Sequence, residues 1–580
     1  MRIQRRAVFG RQSILRLLLC AGMVSVVFLI AYLSQKMAKV SQSGPYSLEQ
    51  GSERSHSSTP DIITGLEGNR KLQYHESSLV DIDKINITMW STDFHISPIA
   101  DIKAVTEKIS KRVKIIDQSL SGHCHLTDTC ATHDLHILTK ENGINLGDCP
   151  NRLRTEFYNY YSKDPVFMKE VDVVLCTHAA SLCELYMPFR KSLIVIASTR
   201  YEIGRHDQTR WMLWNDNLRR IAAKRGNFVA ANNLYDKLYI EHFTGIKNVL
   251  LLPSLATFVH ARAQSAPASR GRSQADFDFL LMPGRDVDPR LQKDLGVALE
   301  AHNRGRSRGS SSSSSGEGGG TASSRSSLRI TPLRDLYPAY TFEQLSAHPG
   351  AVILPYQVSF MTFFELYRMG LPMFVPSAQL LSRWHLAQGT IKERTWATIY
   401  NDRNGQRRSV ISPYSDKDKD KDKDKDKDKD KNAARTSSNS DNTTPWVEYA
   451  KDSSASRGDP NAERDHEAVL QWVSLSDFYT WPHVHSFDSW PHLFSLLEGG
   501  VDLKETSAGM VLAMEKIESM TLLTWKRILL SIAELRGREG RVGPIAGINE
   551  ALHEGYGYTL KAGKCIETTQ FDLFVKSANV

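Results

Sequence analysis

The chain has 580 residues, 41% of them hydrophobic, with 73 Lys and Arg against 65 Asp and Glu. That length exceeds one ordinary core and implies several domains, and the apolar content excludes a chain that is disordered throughout. The net charge of +8 is spread along the sequence with no basic stripe interleaved with aromatics, which argues against a nucleic-acid-binding protein.

In chain order, the first element is a membrane signal. Arg2, Arg5, Arg6, Arg11 and Arg16 precede LLLCAGMVSVVFLIAYL (Leu17–Leu33), a run of 17 residues without a charge. It is longer than the apolar region of a cleaved signal peptide and crosses a thin bilayer if its flanks snorkel. The excess of Arg before it predicts a cytosolic tail over 1–16, a signal anchor over 17–33 and a luminal body. Cys124, Cys130, Cys149, Cys176, Cys183 and Cys565 follow the run, an even number suited to an oxidising compartment, with pairing left open. Asn86 and Asn442 head glycosylation sequons. Residues 34–80, polar and rich in Ser, Gly and Glu, read as a luminal stem.

From about Ile85 short apolar runs alternate with helix-like segments. INITMW and VKIID come first, then VDVVLC (Val171–Cys176), SLIVIAS (Ser192–Ser198), FVAAN (Phe228–Asn232) and VLLLPS (Val249–Ser254). Buried strands separated by helices predict a parallel α/β sheet over 81–265. A second α/β set over 270–500 holds FDFLLMPGR (Phe277–Arg285), AVILPY (Ala351–Tyr356), the helical MTFFELYRMG and the strand LPMFVP. Two low-complexity inserts, 304–326 and 413–465, interrupt it; the second contains eight Asp-Lys repeats over Asp416–Lys431. Neither insert has the apolar surface to offset the entropy of ordering. Residues 501–580 read as a helical region. WVSLSDFYTWPHVHSFDSWPHLF (Trp472–Phe494), just before it, reads as a packed aromatic helix–loop region.

In open parallel sheets ligands bind beyond the carboxyl ends of the strands, so the residues following each strand carry the chemistry. After AVILPY, a helix N-terminus opens near Ser359 and carries a single acid, Glu365, about two turns in. Free N–H groups there favour an anion such as a diphosphate, and a carboxylate accepts hydrogen bonds from vicinal hydroxyls. HCHLTDTCATHDLH (123–136) offers Cys and His, but no closed zinc spacing, and disulfides suit this compartment better. The pattern Gly-x-Ser-x-Gly occurs only as Gly305–Gly309, inside the Ser- and Gly-rich insert and not between a strand and a helix, so a serine hydrolase lacks a nucleophile elbow.

PYQVSFMTFFELYRMGLPMFVPS (355–377) resembles the nucleotide-sugar segment of GT-B-fold glycosyltransferases: Pro, small residues, a helix bearing Glu, Gly-x-Pro, then an apolar strand. The resemblance implies two Rossmann-like domains, a nucleotide-sugar donor, a glycan or glycoconjugate acceptor and a body in the Golgi lumen. Retaining members carry two Glu seven positions apart; the ribose-binding one matches Glu365, and the other falls at Gln357, where this chain departs from the pair. PGRDVDPR (Pro283–Arg290) is similar to the family's Gly-Arg turn, which assigns Gly284, Arg285 and Arg290, with Ser359, to the donor diphosphate. The charge of the diphosphate would then be met by Arg, with no bound metal and no cofactor beyond the co-substrate. In the acceptor half, His178 after VDVVLC corresponds to a position near the transferred sugar. Asp93, His95 and Asp101, after the first strand, join it as candidates to accept a hydroxyl proton. Arg200, Glu202 and Arg205, after SLIVIAS, together with Gln357, are expected to line the cleft. The loss of the first Glu leaves a second possibility, a non-catalytic luminal glycan-binding or scaffold protein on the same fold.

Overall fold

The computed structural model describes residues 61–69, 82–131, 137–138, 150–203, 208–263, 278–282, 288–309, 327–392, 394, 458–462, 464–539, 558–561 and 564–567. The signal anchor at 17–33, Arg205, Gly284, Arg285, Asn442 and the Asp-Lys tract lie outside them. Among the described residues no helix is long and apolar enough to cross a membrane.

The described residues belong to one compact unit, Thr59 onward. It carries two parallel sheets. The first contains β1 (Ile87–Ser91), β2 (Val113–Asp117), β3 (Val173–Cys176), β4 (Ser192–Ala197), β5 (Phe228–Ala231) and β6 (Leu250–Leu251), in the order β2-β1-β3-β4-β5-β6. The second contains β7 (Phe279–Met282), β8 (Ile330–Pro332), β9 (Ala351–Ile353), β10 (Met373–Pro376) and β11 (His485–Phe487), in the order β8-β7-β9-β10-β11. Every pairing in both sheets is parallel. The shared pattern, second strand outside the first and third strand inside it, is a doubly wound order with its switch point between the first and third strands.

The longer helices follow from amphipathic segments and their caps. They are α1 (Ile62–Gly68), α2 (Ile96–Ile109), α3 (Pro150–Tyr161), α4 (Gln208–Ala223), α5 (Leu234–Thr244), α6 (Pro289–Gly309), α7 (Met361–Met369), α8 (Ala378–Gln388), α9 (His466–Val473) and α10 (Leu503–Glu539). Asn233 caps α5 by accepting from Asp236 N at 2.7 Å, and Ser377 caps α8. Gly370 ends α7 at φ 72°, and a Cβ there would meet Ser507 and Val511 of α10 at 3.0 Å, so both backbone conformation and space require Gly.

The strands are apolar on both faces because both faces are covered. One core runs from β1, β3 and β4 through β7, β9 and β10 to Met510, Met514, Ile517 and Trp525 of α10. The long helix α10 touches α7 of the second half and α1 and α2 of the first. A second core gathers Trp211, Trp214, Tyr235 and Tyr239 with Val469, Trp472 and Val473 of α9. Trp472 meets the rings of Tyr235 and His242 at 5.4 and 5.7 Å.

Four sequence boundaries shift. The stem expectation over 34–80 fails at its end, because α1 buries Ile62 and Leu66 in the first core. The expected insert at 304–326 begins too early, since α6 runs to Gly309. The end of the 413–465 insert is ordered: Gly458 O accepts from Trp472 Nε1 at 3.2 Å, and Asp465 caps α9. The helical reading of 501–580 holds for α10 but not for β12 (Tyr558–Lys561) and β13 (Lys564–Glu567), an antiparallel hairpin. Two disulfides, Cys124–Cys130 and Cys176–Cys183, lie among the described residues.

Candidate functional site

The switch point of the first sheet brings three sequence candidates together. Asp93 and His95 follow β1, and His178 follows the adjacent β3; Phe94 N donates to His178 O at 2.9 Å and locks the two loops side by side. The rings of His95 and His178 stand 5.9 Å apart, edge to face. Thr199, after β4, meets His178 Nδ1 at 3.0 Å through its hydroxyl. Burial, and then His95, depress the His178 pKa to about 4, so this imidazole is neutral across the physiological range.

Asp93 is buried and close to a second acid, Asp117, the last residue of β2. Burial first, and Asp117 next, push the Asp93 pKa up to about 8, so the pair keeps a proton at neutral pH. Ser119 Oγ donates to Asp93 Oδ1 at 3.0 Å, and Lys103 meets Asp117 at 3.5 Å. A carboxyl in that state can donate a hydrogen bond at neutral pH. Asp117 went unmarked in the sequence reading; its only signal was an acid closing the apolar run VKIID.

Asp101 stands apart from this group. Its Oδ2 accepts from Leu255 N at 3.0 Å, and the N–H groups of Ala256 and Thr257 and the Ser254 hydroxyl also address it. It anchors the segment leading out of β6, where Ala256 takes a φ of 47°. Burial raises its pKa to about 6 despite those donors. Its place in the structure is that of an anchor for the segment after β6.

Arg200 and Glu202 do not line a cleft; both are buried in the second core. Arg200 binds Asp236 of α5 through two contacts, Nε to Oδ1 at 2.6 Å and Nη2 to Oδ2 at 2.5 Å. Its guanidinium lies 4.6 Å from the Tyr235 ring centre and donates to Arg394 O at 3.4 Å. Glu202 accepts from Tyr239 Oη at 3.0 Å, and burial raises its pKa to about 8. Arg200 and Glu202 turned inward because α5 supplied partners some 36 residues further on.

In the second half, Glu365 is the fifth residue of α7, one turn from the N-terminus rather than two. Its neighbours Phe363, Phe364, Leu366 and Tyr367 are buried, with Tyr367 against Trp481 at 4.7 Å. Glu365 itself is half-buried, and no described residue forms a hydrogen bond or ion pair with its carboxylate. Burial, and then Asp101, raise its pKa to about 7. Gln357 is half-buried and Ser359 buried beside Asp477, so Ser359 faces an acid rather than an open helix end. Asp477 accepts from Trp481 Nε1 at 3.2 Å, and burial raises its pKa to about 8; nothing in its sequence context marks it. Arg290 is exposed and held by Asp288 at 3.0 and 2.6 Å and by Gln388 O at 2.8 Å. Asn86 is exposed.

Comparison with protein families, curated proteins and solved structures finds no match for this chain.

Proposed function

We propose that the chain is a nucleotide-sugar-dependent glycosyltransferase of the GT-B kind, held in the Golgi membrane by residues 17–33, with its body in the lumen. Two parallel sheets of the same doubly wound order support this reading, since each offers a carboxyl edge to a ligand. The observation that carries it is Glu365, a half-buried carboxylate that has no partner among the described residues, on the helix that follows β9. Its unmet acceptors suit the ribose hydroxyls of a nucleotide.

On this reading Glu365 orients the ribose, Arg285 and Arg290 meet the diphosphate, and no metal is required. His178 and His95 address the acceptor hydroxyl, His178 as a neutral imidazole oriented by Thr199. Asp93, protonated beside Asp117, donates to the transferred sugar. A glycan-binding or scaffold protein on the same fold is the second reading; it is favoured by Gln357 in place of a Glu and by the engagement of Arg290 with Asp288.

A donor-panel assay on the full-length chain in detergent separates the two. Glycosyl transfer, or donor hydrolysis that Glu365→Ala removes, is the expected result. If no nucleoside diphosphate raises the melting temperature and no donor turns over, the enzyme reading fails and the binding reading stands.

A further inference from the structure

Beneath the carboxyl edge of the first sheet lies a small cavity of about 20 Å³, walled by Asp101, Thr177, Ser198, Asn232, Ser254 and Trp525, among others. That volume accommodates one water-sized particle. Its lining is unusual in what it leaves unpaired. Asp101 Oδ1, Thr177 Oγ1 and Ser198 Oγ are each buried and make no hydrogen bond among the described residues. These side chains come from three elements, α2 and the ends of β3 and β4, and are 3%, 1% and 9% exposed. Three separate orphaned oxygens around one small space exceed what a packing accident produces in an interior where buried polar groups find partners.

The donor set decides the ligand class. All three atoms are oxygens, hard donors that suit alkali and alkaline-earth cations. Among the described residues no Lys, Arg or His pairs with Asp101, and no group of three His, Cys, Asp or Glu could hold a metal ion. One carboxylate offers one negative charge, which matches a monovalent cation and falls short of the several carboxylates typical of a divalent site. A water molecule would serve the two hydroxyls but bring no positive charge to Asp101, whose buried carboxylate is met by N–H groups and the Ser254 hydroxyl and by no cation among the described residues.

We infer that this cavity is a binding site for one monovalent alkali cation, sodium or potassium, held by Asp101, Thr177 and Ser198. The cation ties the ends of β3 and β4 to α2 and, through Asp101, to the segment after β6. Because Thr177 directly precedes His178, occupancy also steadies the His178 loop. The inference stands on the cavity alone and does not depend on the chain being a transferase.

The test is a thermal melt of the full-length chain at constant ionic strength in sodium, potassium or choline chloride, paired with titration calorimetry of the preferred cation. Saturable stabilisation of several degrees by one alkali cation over choline is expected, with loss in Asp101→Asn. Because Asp101→Asn also touches the linker and can fail to fold, Thr177→Val and Ser198→Ala are the second arm; each removes one ligand and leaves the linker anchor intact, and each should weaken the cation response about tenfold in concentration. Equal melting in all three salts, or a response unchanged in Thr177→Val and Ser198→Ala, overturns the site and leaves a buried water as the occupant.

Discussion

The carboxyl edges of the two sheets share a strand order and differ in how they treat charge. At the first edge Asp93 faces Asp117 and Ser119, Asp101 receives the chain after β6, Arg200 holds Asp236, and Glu202 takes the Tyr239 hydroxyl. At the second, Glu365 has no partner among the described residues, and Arg290 is engaged only by its own loop and the end of α8. Abundance of titratable residues is therefore a poor guide to a binding edge. A buried charge with partners is an element of the fold, whereas one without partners is poised for a ligand.

The largest expected effect breaks the first edge. Arg200→Ala leaves Asp236 buried and unpaired, and costs about 3–5 kcal/mol of stability. Arg200→Met with Asp236→Leu, which removes both charges, should cost less than the single change, although it takes a partner from Asn233 Nδ2 and from Arg394 O. Chemical denaturation of the three chains checks this. If the single variant is as stable as the parent, the pair contributes nothing to the fold and the contrast between the edges collapses.

Next comes the second edge. Glu365→Gln keeps the shape of the side chain and removes its charge. Loss of charged hydrogen bonds to a ribose should lower kcat/KM for the donor about 10- to 100-fold. The melting temperature should hold or rise, since a partly buried acid without a partner is removed. A fall in melting temperature with donor affinity intact would show that Glu365 belongs with the structural charges of the first edge.

How much of this was legible in the sequence divides along the same line. Strands that are buried on both faces announce themselves as apolar runs, so β3, β4, β5, β9 and β10 were readable, as was the succession of β9, α7, Gly370 and β10. The strand β11 was not, because His485–Phe487 is three residues long and has no apolar run. Convergence of Asp93, His95 and His178 followed from their places after adjacent strands. The inward turn of Arg200 and Glu202 did not, since their partners Asp236 and Tyr239 lie on α5 and only folding brings them close. Spacing shows where a charge sits along the chain, not whether something far away will satisfy it.

A smaller effect concerns pH. The carboxyls of Asp93, Glu202 and Asp477 each titrate near 8, raised mainly by burial. Between the ordinary carboxylate range and pH 8 the unfolded chain has released these protons and the folded one retains them. Stability from these groups is thus complete at low pH and falls as pH rises toward 8. Melting temperature should decline from pH 5.5 to 8 by several degrees, and Asp477→Asn should flatten the slope. A curve that rises over this window would mean that these carboxyls are ionised in the fold.

The smallest effect bears on Arg290. For Arg290 to meet a diphosphate it must leave Asp288, which holds both its Nε and an Nη. Asp288→Ala removes that competitor, so donor affinity should rise a few-fold; it also removes the acceptor for Arg290 N at 2.9 Å at the start of α6, so stability should fall by about 1 kcal/mol. Arg290→Ala should lower affinity, and adding it to Asp288→Ala should erase the gain. The double variant separates release of Arg290 from a simple change in local charge: if removal of Asp288 acts only by making the surface less negative, the gain survives the loss of Arg290. An Asp288→Ala chain that binds donor more weakly than the parent would instead make the Asp288–Arg290 pair a built part of the turn, as settled as Arg200 with Asp236, and would leave the donor reading of the second edge resting on Glu365.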